Sequence, residues 1–191
     1  MHTPAHLVFN LAVLGRSGAA VYLVPVFAGA LLPDLPMFIF YAVERFIFET
    51  PNQIIWREAY FEPGWQYFID YFNSIPIIAV VLSVALWFKS RFVSLLCLSM
   101  LLHIALDLPV HHDDGHRHFL PFSQWRFESP VSYWDLGHFG RIMSWLEALG
   151  LFVCCFFLVR RDHGQWFKGA VWVLVLWQIA DLTVKAKFYV A

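Results

Sequence analysis

Residues 91–108, RFVSLLCLSMLLHIALDL, decide the fold class. The segment is almost wholly apolar and, at 1.5 Å per residue, comes close to spanning a bilayer core of about 30 Å. It ends in His103 and Asp107, a spacing of four that places both side chains on one helical face, about 5–6 Å apart. Ionisable groups at membrane depth are costly and mark functional sites. We predict a metal site here; the alternative is a His–Asp hydrogen bond that joins two helices.

The composition extends the membrane prediction to the whole chain. Of the 191 residues, 60% are hydrophobic and 14% are charged, against about 45–50% and about 25% in soluble domains. So few polar residues cannot cover a water-soluble core, whereas lipid solvates such a surface. We therefore expect one integral membrane domain over residues 1–191 with the bilayer as its partner. No basic run is present, so we expect no nucleic-acid binding.

Apolar segments alternate with short polar breaks, which predicts an all-α, polytopic membrane helix bundle. Its length allows about five full spans plus short or re-entrant helices. We predict two short helices at 4–14 and 19–32, an interfacial or re-entrant helix at 37–48 and an aromatic boundary stretch at 50–73. Four further spans are predicted at 75–88, 92–108, 142–159 and 167–184. Between the spans 92–108 and 142–159, the aromatic, His/Asp-rich loop 109–140 is expected to be ordered and to cap the site.

Alternation of the spans places His6, Asp34 and the loop 109–140 at the same membrane face as His103. The short breaks with Arg16, with Lys89 and Arg91 and with Arg160 and Arg161 fall at the other face, which the positive-inside rule assigns to the cytoplasm. His6 and Asp34 are therefore further candidate metal ligands. The first segment lacks the charged n-region and cleavage site of a signal peptide, so we expect it to be kept.

The loop that follows Asp107 reads HHDDGHRH at 111–118. Imidazole and carboxylate are ligands of Zn²⁺, Fe²⁺ and Mn²⁺. His111, His112 and His118 are therefore candidate ligands, some of which would orient other ligands rather than touch the metal.

Other polar residues leave alternatives open. His138 follows Asp135 by three residues, so the two could form a second metal pair, or Asp135 could act as a general base. Arg126 and its neighbours could pair with carboxylates or hold an anionic substrate. Glu147 and Asp181 lie inside the last two spans and need polar partners there.

The motifs PAHLVF (4–9), LLPD (31–34), LHIALD (102–107) and PFSQWRF (121–127) resemble those of the bacterial membrane-bound metal-dependent hydrolases, a family of inner-membrane proteins. HHDD (111–114) and SPVSYWD (129–135) are similar to a branch often labelled cobalamin biosynthesis proteins. The resemblance implies that His6, Asp34, His103 and Asp107 bind metal and that the substrate is a lipid or another membrane-associated ester.

One part of the chain departs from the family pattern. Where the family has His-Arg-Gly-x-Thr-His-Ser, residues 68–74 here read FIDYFNS, without either histidine. Asp70, Asn73 or the histidines of 111–118 would then have to supply the missing ligands.

These observations lead to three functional hypotheses. The first is hydrolysis with a divalent metal, zinc before iron or manganese, in which Asp114 or Asp135 is the general base and Arg126 holds the substrate. The second is a non-catalytic, metal-binding subunit that accompanies another membrane protein. The third, prompted by Glu147 and Asp181 within spans, is a cation or proton transporter.

Overall fold

All regular secondary structure in the described part of the chain is helical. The computed structural model describes residues 1–15, 20–160 and 165–190, and the side chains within these ranges apart from those at 20, 21, 166 and 181–190. Arg16, Arg161 and the side chain of Asp181 thus lie outside the described residues. The helices are α1 (Thr3–Leu14), α2 (Ala20–Leu31), α3 (Leu35–Phe46), α4 (Asn52–Arg57), α5 (Pro63–Phe72), α6 (Ile75–Trp87), α7 (Arg91–Asp107), α8 (Gly140–Arg160) and α9 (Gln165–Val190).

The helix boundaries follow the local signals in the sequence. Ser74 and Ser90 precede α6 and α7, and each side chain accepts a hydrogen bond from a backbone amide of the first turn, as N-cap residues do. Pro33 lies in the break between α2 and α3, because proline disfavours helical geometry in the residue before it. The predicted boundaries are thereby confirmed to within a few residues.

In the part of the chain that the structure describes, three or four candidate spans are found, where about five were expected. Among the described residues, three helical segments are long and apolar enough to cross a membrane: Pro63–Trp87, Arg91–Val110 and Gly140–Arg160. A fourth would be the pair Tyr22–Leu31 and Leu35–Phe46, bent by 50° at its break. The first of the three includes α5, which we had assigned to an aromatic boundary stretch. α1 has 12 residues, too few for a full crossing.

The short helix α1 is the centre of the bundle. It contacts α2, α7, α8 and α9, and Ala5 and Val8 are fully buried in the core that it shares with α2, α8 and α9. Two polar residues join it to its neighbours: Asn10 donates to the backbone carbonyl of Ser99, and the Ser99 hydroxyl donates to the carbonyl of Val26. These bonds satisfy buried polar groups that lipid could not satisfy.

Helices α2 and α7 pack closely at Gly29. A Cβ atom built on Gly29 would lie 2.3 Å from the Leu96 carbonyl oxygen. Small residues at helix contacts let two backbones approach in this way. The contact fixes the ends of α2 and α7 beside each other, so that the residues following α2 face the last turn of α7.

The break between α2 and α3 lies beside the break between α5 and α6, and the predicted loop is hydrogen-bonded to the second of them. Asn73, between α5 and α6, donates to the carbonyl of Pro33, between α2 and α3, over 3.1 Å. Ser74 donates to the carbonyl of Leu120 in the loop, and the amide of Ile75 donates to the carbonyl of His118. The loop is therefore ordered against this end of the bundle, as we expected.

Candidate metal centre

Asp107, the last residue of α7, is the point on which the site converges. Its Oδ1 lies 2.8 Å from His6 Nε2, and its Oδ2 lies 3.0 Å from His103 Nε2. His6, His103 and Asp107 are all buried, and one ligand atom from each lies within 4.8 Å of the other two. This His-His-Asp group could hold one metal ion.

The packing of α1 against α7 brings the group together. His103 and Asp107 share a helical face through their spacing of four, as the sequence predicted, whereas His6 comes from a different helix. The imidazole rings of His6 and His103 stack at 3.6 Å between centroids, with 11° between their planes. Both ligand nitrogens consequently point towards the same carboxylate.

The hydrogen bonds around His103 suit a metal ligand. Its Nδ1 lies 2.8 Å from the carbonyl oxygen of Ala30, so Nδ1 carries the proton, because a carbonyl only accepts. Nε2 lies 3.0 Å from Asp107 Oδ2 without a well-formed hydrogen bond, a position in which it would carry either a second proton or a metal ion. Protein ligands to metals have this arrangement, in which the other ring nitrogen is fixed by a backbone carbonyl. The residues present thus fit a divalent ion.

Asp34 and His111 lie at the edge of this group. Asp34 Oδ1 is 3.5 Å from His103 Nε2, and the Thr3 hydroxyl donates to Asp34 Oδ2 over 2.6 Å. His111 Nε2 is 3.1 Å from Asp107 Oδ1. Each could bind the metal after a small movement, or hold a ligand in place.

A positive group already lies between two of these residues. The amino nitrogen of Met1 is 2.5 Å from Asp107 Oδ1 and 2.9 Å from His111 Nε2. The face of Asp107 turned towards His111 therefore has room for a cation.

A cavity of about 390 Å³ opens onto the edge of the group. Its lining includes the polar residues Asp34, His111 and Gln178 and the aromatic residues Phe38, Tyr41, Trp56 and Trp177. Phe38, Trp56 and Trp177 are also exposed on the outer surface of the protein. The cavity beside the buried group is therefore lined by both polar and aromatic side chains.

Asp114 acts on the site through His111. Its Oδ2 lies 3.1 Å from His111 Nδ1 and accepts a hydrogen bond from the indole of Trp134. Burial and the Met1 amino group lower the pKa of His111, but Asp107 and Asp114 outweigh them and raise that pKa above its ordinary value. The His111 imidazole thus lies between two carboxylates, that of Asp107 in the metal group and that of Asp114 on its other side.

Asp70 lies in a second polar cluster and not at the metal group. It is fully buried and contacts Arg117 Nε at 2.5 Å, His116 Nδ1 at 3.0 Å and Arg126 Nη2 at 3.7 Å. Arg126 also donates to Gln66. Of the two open alternatives for the arginines, the structure places Arg126 with a carboxylate, away from the residues that line the cavity.

His112, His138 and Asp135 form a third group near the surface. The rings of His112 and His138 stack at 3.6 Å, and His138 Nδ1 lies 2.5 Å from Asp135 Oδ2. His112 Nδ1 contacts the carbonyl oxygen of Ser129. Within the described part of the chain, these side chains contact one another and the loop backbone, and the structure does not bring them to Asp107.

His118 is buried beside the helix breaks. Its Nδ1 lies 3.1 Å from the carbonyl oxygen of Asn73. Burial is the main cause that lowers the pKa of His118 to about 4, and the neighbouring His116 lowers it further. The side chain therefore supports the loop in its neutral form.

This shift predicts a dependence of stability on pH. Between the ordinary pKa of 6.5 and the folded pKa of about 4, the unfolded chain binds a proton at His118 that the folded chain does not, so stability falls as the pH falls through this range. We expect a lower melting temperature at about pH 5 than at about pH 7, and a smaller difference in His118→Gln. His112→Gln is the matched control. An equal difference in both variants and wild type would assign the effect to other groups.

The cavity is also lined by Gln178, a residue to which the sequence assigned no part in the site. Glu147 lies 2.7 Å from His2 Nδ1 and accepts a hydrogen bond from Gln178. The sequence signalled that Glu147 needs a partner inside its span, but it did not identify Gln178, a lone amide in α9. The signal available in the sequence was that Gln178 is a polar residue within an apolar helix.

Comparisons with models of protein families, with curated proteins and with solved structures gave no match to this chain. The resemblance to membrane-bound hydrolases therefore stays a prediction.

Proposed function

We propose that this protein is a membrane-embedded, metal-dependent hydrolase that acts on a lipid-like or membrane-associated substrate. The observation that carries the proposal is the buried group of His6, His103 and Asp107. Its neighbours Asp34 and His111 line a cavity. Hydrolytic zinc sites characteristically have three protein ligands and one position left for water or substrate. Nitrogen and oxygen ligands suit zinc, iron and manganese.

The position of the group along the helices supports a site at membrane depth. Asp107 follows Arg91 by 16 residues on α7, which is about 24 Å at 1.5 Å per residue. Asp34 follows α2, whose 12 residues span about 18 Å. If the α6–α7 turn lies at one interface, both residues fall within a hydrocarbon layer of about 30 Å. A multi-pass protein of this kind, by its resemblance, belongs in the bacterial inner membrane.

We assign the role of each residue in the proposed reaction from its contacts. A divalent metal would be held by His6, His103 and Asp107, with Asp34 completing its ligands. When bound, it supplies Lewis acidity and makes water nucleophilic near neutral pH. His111 would take a proton at Nε2, while the Asp114 carboxylate, 3.1 Å from Nδ1, would stabilise the resulting imidazolium. Asp114 would thus serve as the predicted base through His111.

The walls of the cavity support an amphiphilic substrate. Three aromatic residues of its lining, Phe38, Trp56 and Trp177, are also exposed on the outer surface, and two polar residues of its lining, Asp34 and His111, adjoin the metal group. Such a pocket would admit an acyl chain from the bilayer and place the polar end of the molecule at the metal. Tryptophan and tyrosine are typical of the membrane interface.

The proposal predicts turnover that depends on both the metal and Asp114. We expect purified protein, loaded with zinc or manganese, to cleave short-chain acyl esters or phosphodiester lipid analogues. Asp114→Ala should lower kcat by about 10²–10⁴-fold, the usual contribution of a general base, and retain the metal.

The neighbour Asp113 supplies the control, because its side chain is exposed. Asp113→Ala should leave kcat unchanged. Equal kcat in Asp114→Ala and wild type would contradict the role of Asp114. Metal binding without turnover of any tested ester or phosphoester would instead support a non-catalytic, metal-binding subunit.

A further inference from the structure

A second cavity lies at the opposite end of the bundle from the metal group. It has a volume of about 520 Å³ and is bounded by the turn between α6 and α7 and by parts of α1 and α2. Leu86, Leu95 and Leu98 contribute apolar walls, and Lys89 and Arg91 contribute positive charge. We refer to it as the basic groove.

The charges of the basic groove are available to a ligand. Lys89 and Arg91 are exposed, and the contact that the structure gives for Arg91 is with the neutral hydroxyl of Tyr22, 3.5 Å away. Within the described residues, neither cation forms an ion pair, and no aspartate or glutamate lines the groove. Two positive charges thus lie at an apolar cavity without a counter-ion from the described residues.

The local backbone holds the two cations near each other. Lys89 has a φ of 54°, a left-handed conformation that ends the α6 turn. Ser90 then caps α7 by accepting the amide of Val93, so Arg91 begins the new helix. This tight turn projects both side chains from one end of the α6–α7 hairpin, at the level where a membrane helix pair meets lipid headgroups.

We propose that the basic groove binds an anionic phospholipid. Lys89 and Arg91 would contact the headgroup phosphate, the Tyr22 hydroxyl would donate to it, and an acyl chain would lie along Leu86, Leu95 and Leu98. Basic residues beside a membrane span attract anionic lipid in this manner. The apolar walls favour a lipid over free phosphate, which has nothing to place against the leucines. This site is independent of the proposed hydrolase function.

The test compares two lipids that differ in headgroup charge. Purified protein in a non-ionic detergent is titrated with phosphatidylglycerol or with phosphatidylcholine of the same chain length, and bound lipid is counted by native mass spectrometry. We expect tighter binding of phosphatidylglycerol by about 10-fold or more, because each basic residue near the headgroup contributes about 5-fold. Higher salt should reduce this preference.

Variants assign the binding to the basic groove. Lys89→Gln with Arg91→Gln should remove the preference for phosphatidylglycerol, whereas Arg45→Gln with Arg57→Gln, an exposed pair at the other end of the protein, should retain it. Leu98→Trp should weaken binding without a change of charge, because it fills the groove from an exposed position.

Three outcomes would overturn the proposal. The first is equal affinity for the two lipids, and the second is an unchanged preference in the Lys89 and Arg91 variant. The third is displacement of phosphatidylglycerol by inorganic phosphate at the same concentration, which would mean a site for a free anion.

Discussion

Detergent-purified wild-type protein is expected to contain about one equivalent of zinc, iron or manganese, because such a ligand set prefers these metals. The double variant His103→Ala with Asp107→Ala is expected to contain none. The two substitutions remove the carboxylate on which His6 and His111 also converge. The loss should therefore exceed the roughly 10–100-fold weakening caused by removing an outer partner of a metal ligand. Inductively coupled plasma mass spectrometry on matched samples measures it.

The histidines of the surface group provide a matched control. His112→Ala with His138→Ala removes two imidazoles that the sequence also proposed as ligands, but that stack on each other away from Asp107. This variant should keep its metal. If it loses metal while the His103 and Asp107 variant keeps it, the metal belongs to the loop and the buried group is a structural hydrogen-bond network.

The variant Asp34→Asn tests whether Asp34 binds the metal directly or holds another ligand in place. Its Oδ1 is 3.5 Å from His103 Nε2. Asp34→Asn retains the shape and the hydrogen bond from Thr3. A decrease in metal affinity of about 10–100-fold would match an outer partner, whereas complete loss of metal would make Asp34 a direct ligand.

Asp70→Ala is expected to lower stability strongly while leaving the metal content unchanged. The substitution leaves the buried Arg117 without its carboxylate and removes the weaker contact of that carboxylate with the half-buried Arg126. Removing one partner of a buried ion pair costs about 3–5 kcal/mol. Thermal unfolding in detergent should show the largest decrease in melting temperature among the single variants proposed here.

Two further variants make this prediction specific. Asp135→Ala removes a carboxylate that is paired with His138 near the surface, so its melting temperature should stay close to that of wild type. Asp70→Asn keeps hydrogen-bond acceptors but not the charge, and should fall between wild type and Asp70→Ala. A loss of metal in well-folded Asp70→Asn would contradict the separation of the two clusters and make Asp70 part of the metal site.

The departure from the hydrolase pattern at residues 68–74 gains a physical explanation from these contacts. Neither Asp70 nor Asn73 replaces a missing histidine, because Asp70 pairs with two arginines and Asn73 bonds the carbonyls of Pro33 and Ile69. His111 is the loop residue that reaches Asp107. The sequence offered both alternatives, and only the packing of the loop distinguishes them.

By itself, the sequence determined the helical membrane class, the helix boundaries, the adjacency of His103 and Asp107, and the ordered loop at their membrane face. These depend on composition, on capping residues and on a spacing of four, all of which are local properties of the chain. The tertiary structure decided that His6 faces Asp107 and that Asp70 belongs with the arginines. Such pairings depend on how α1, α7 and the loop bury one another, and many arrangements of the same polar residues would satisfy the sequence pattern equally well.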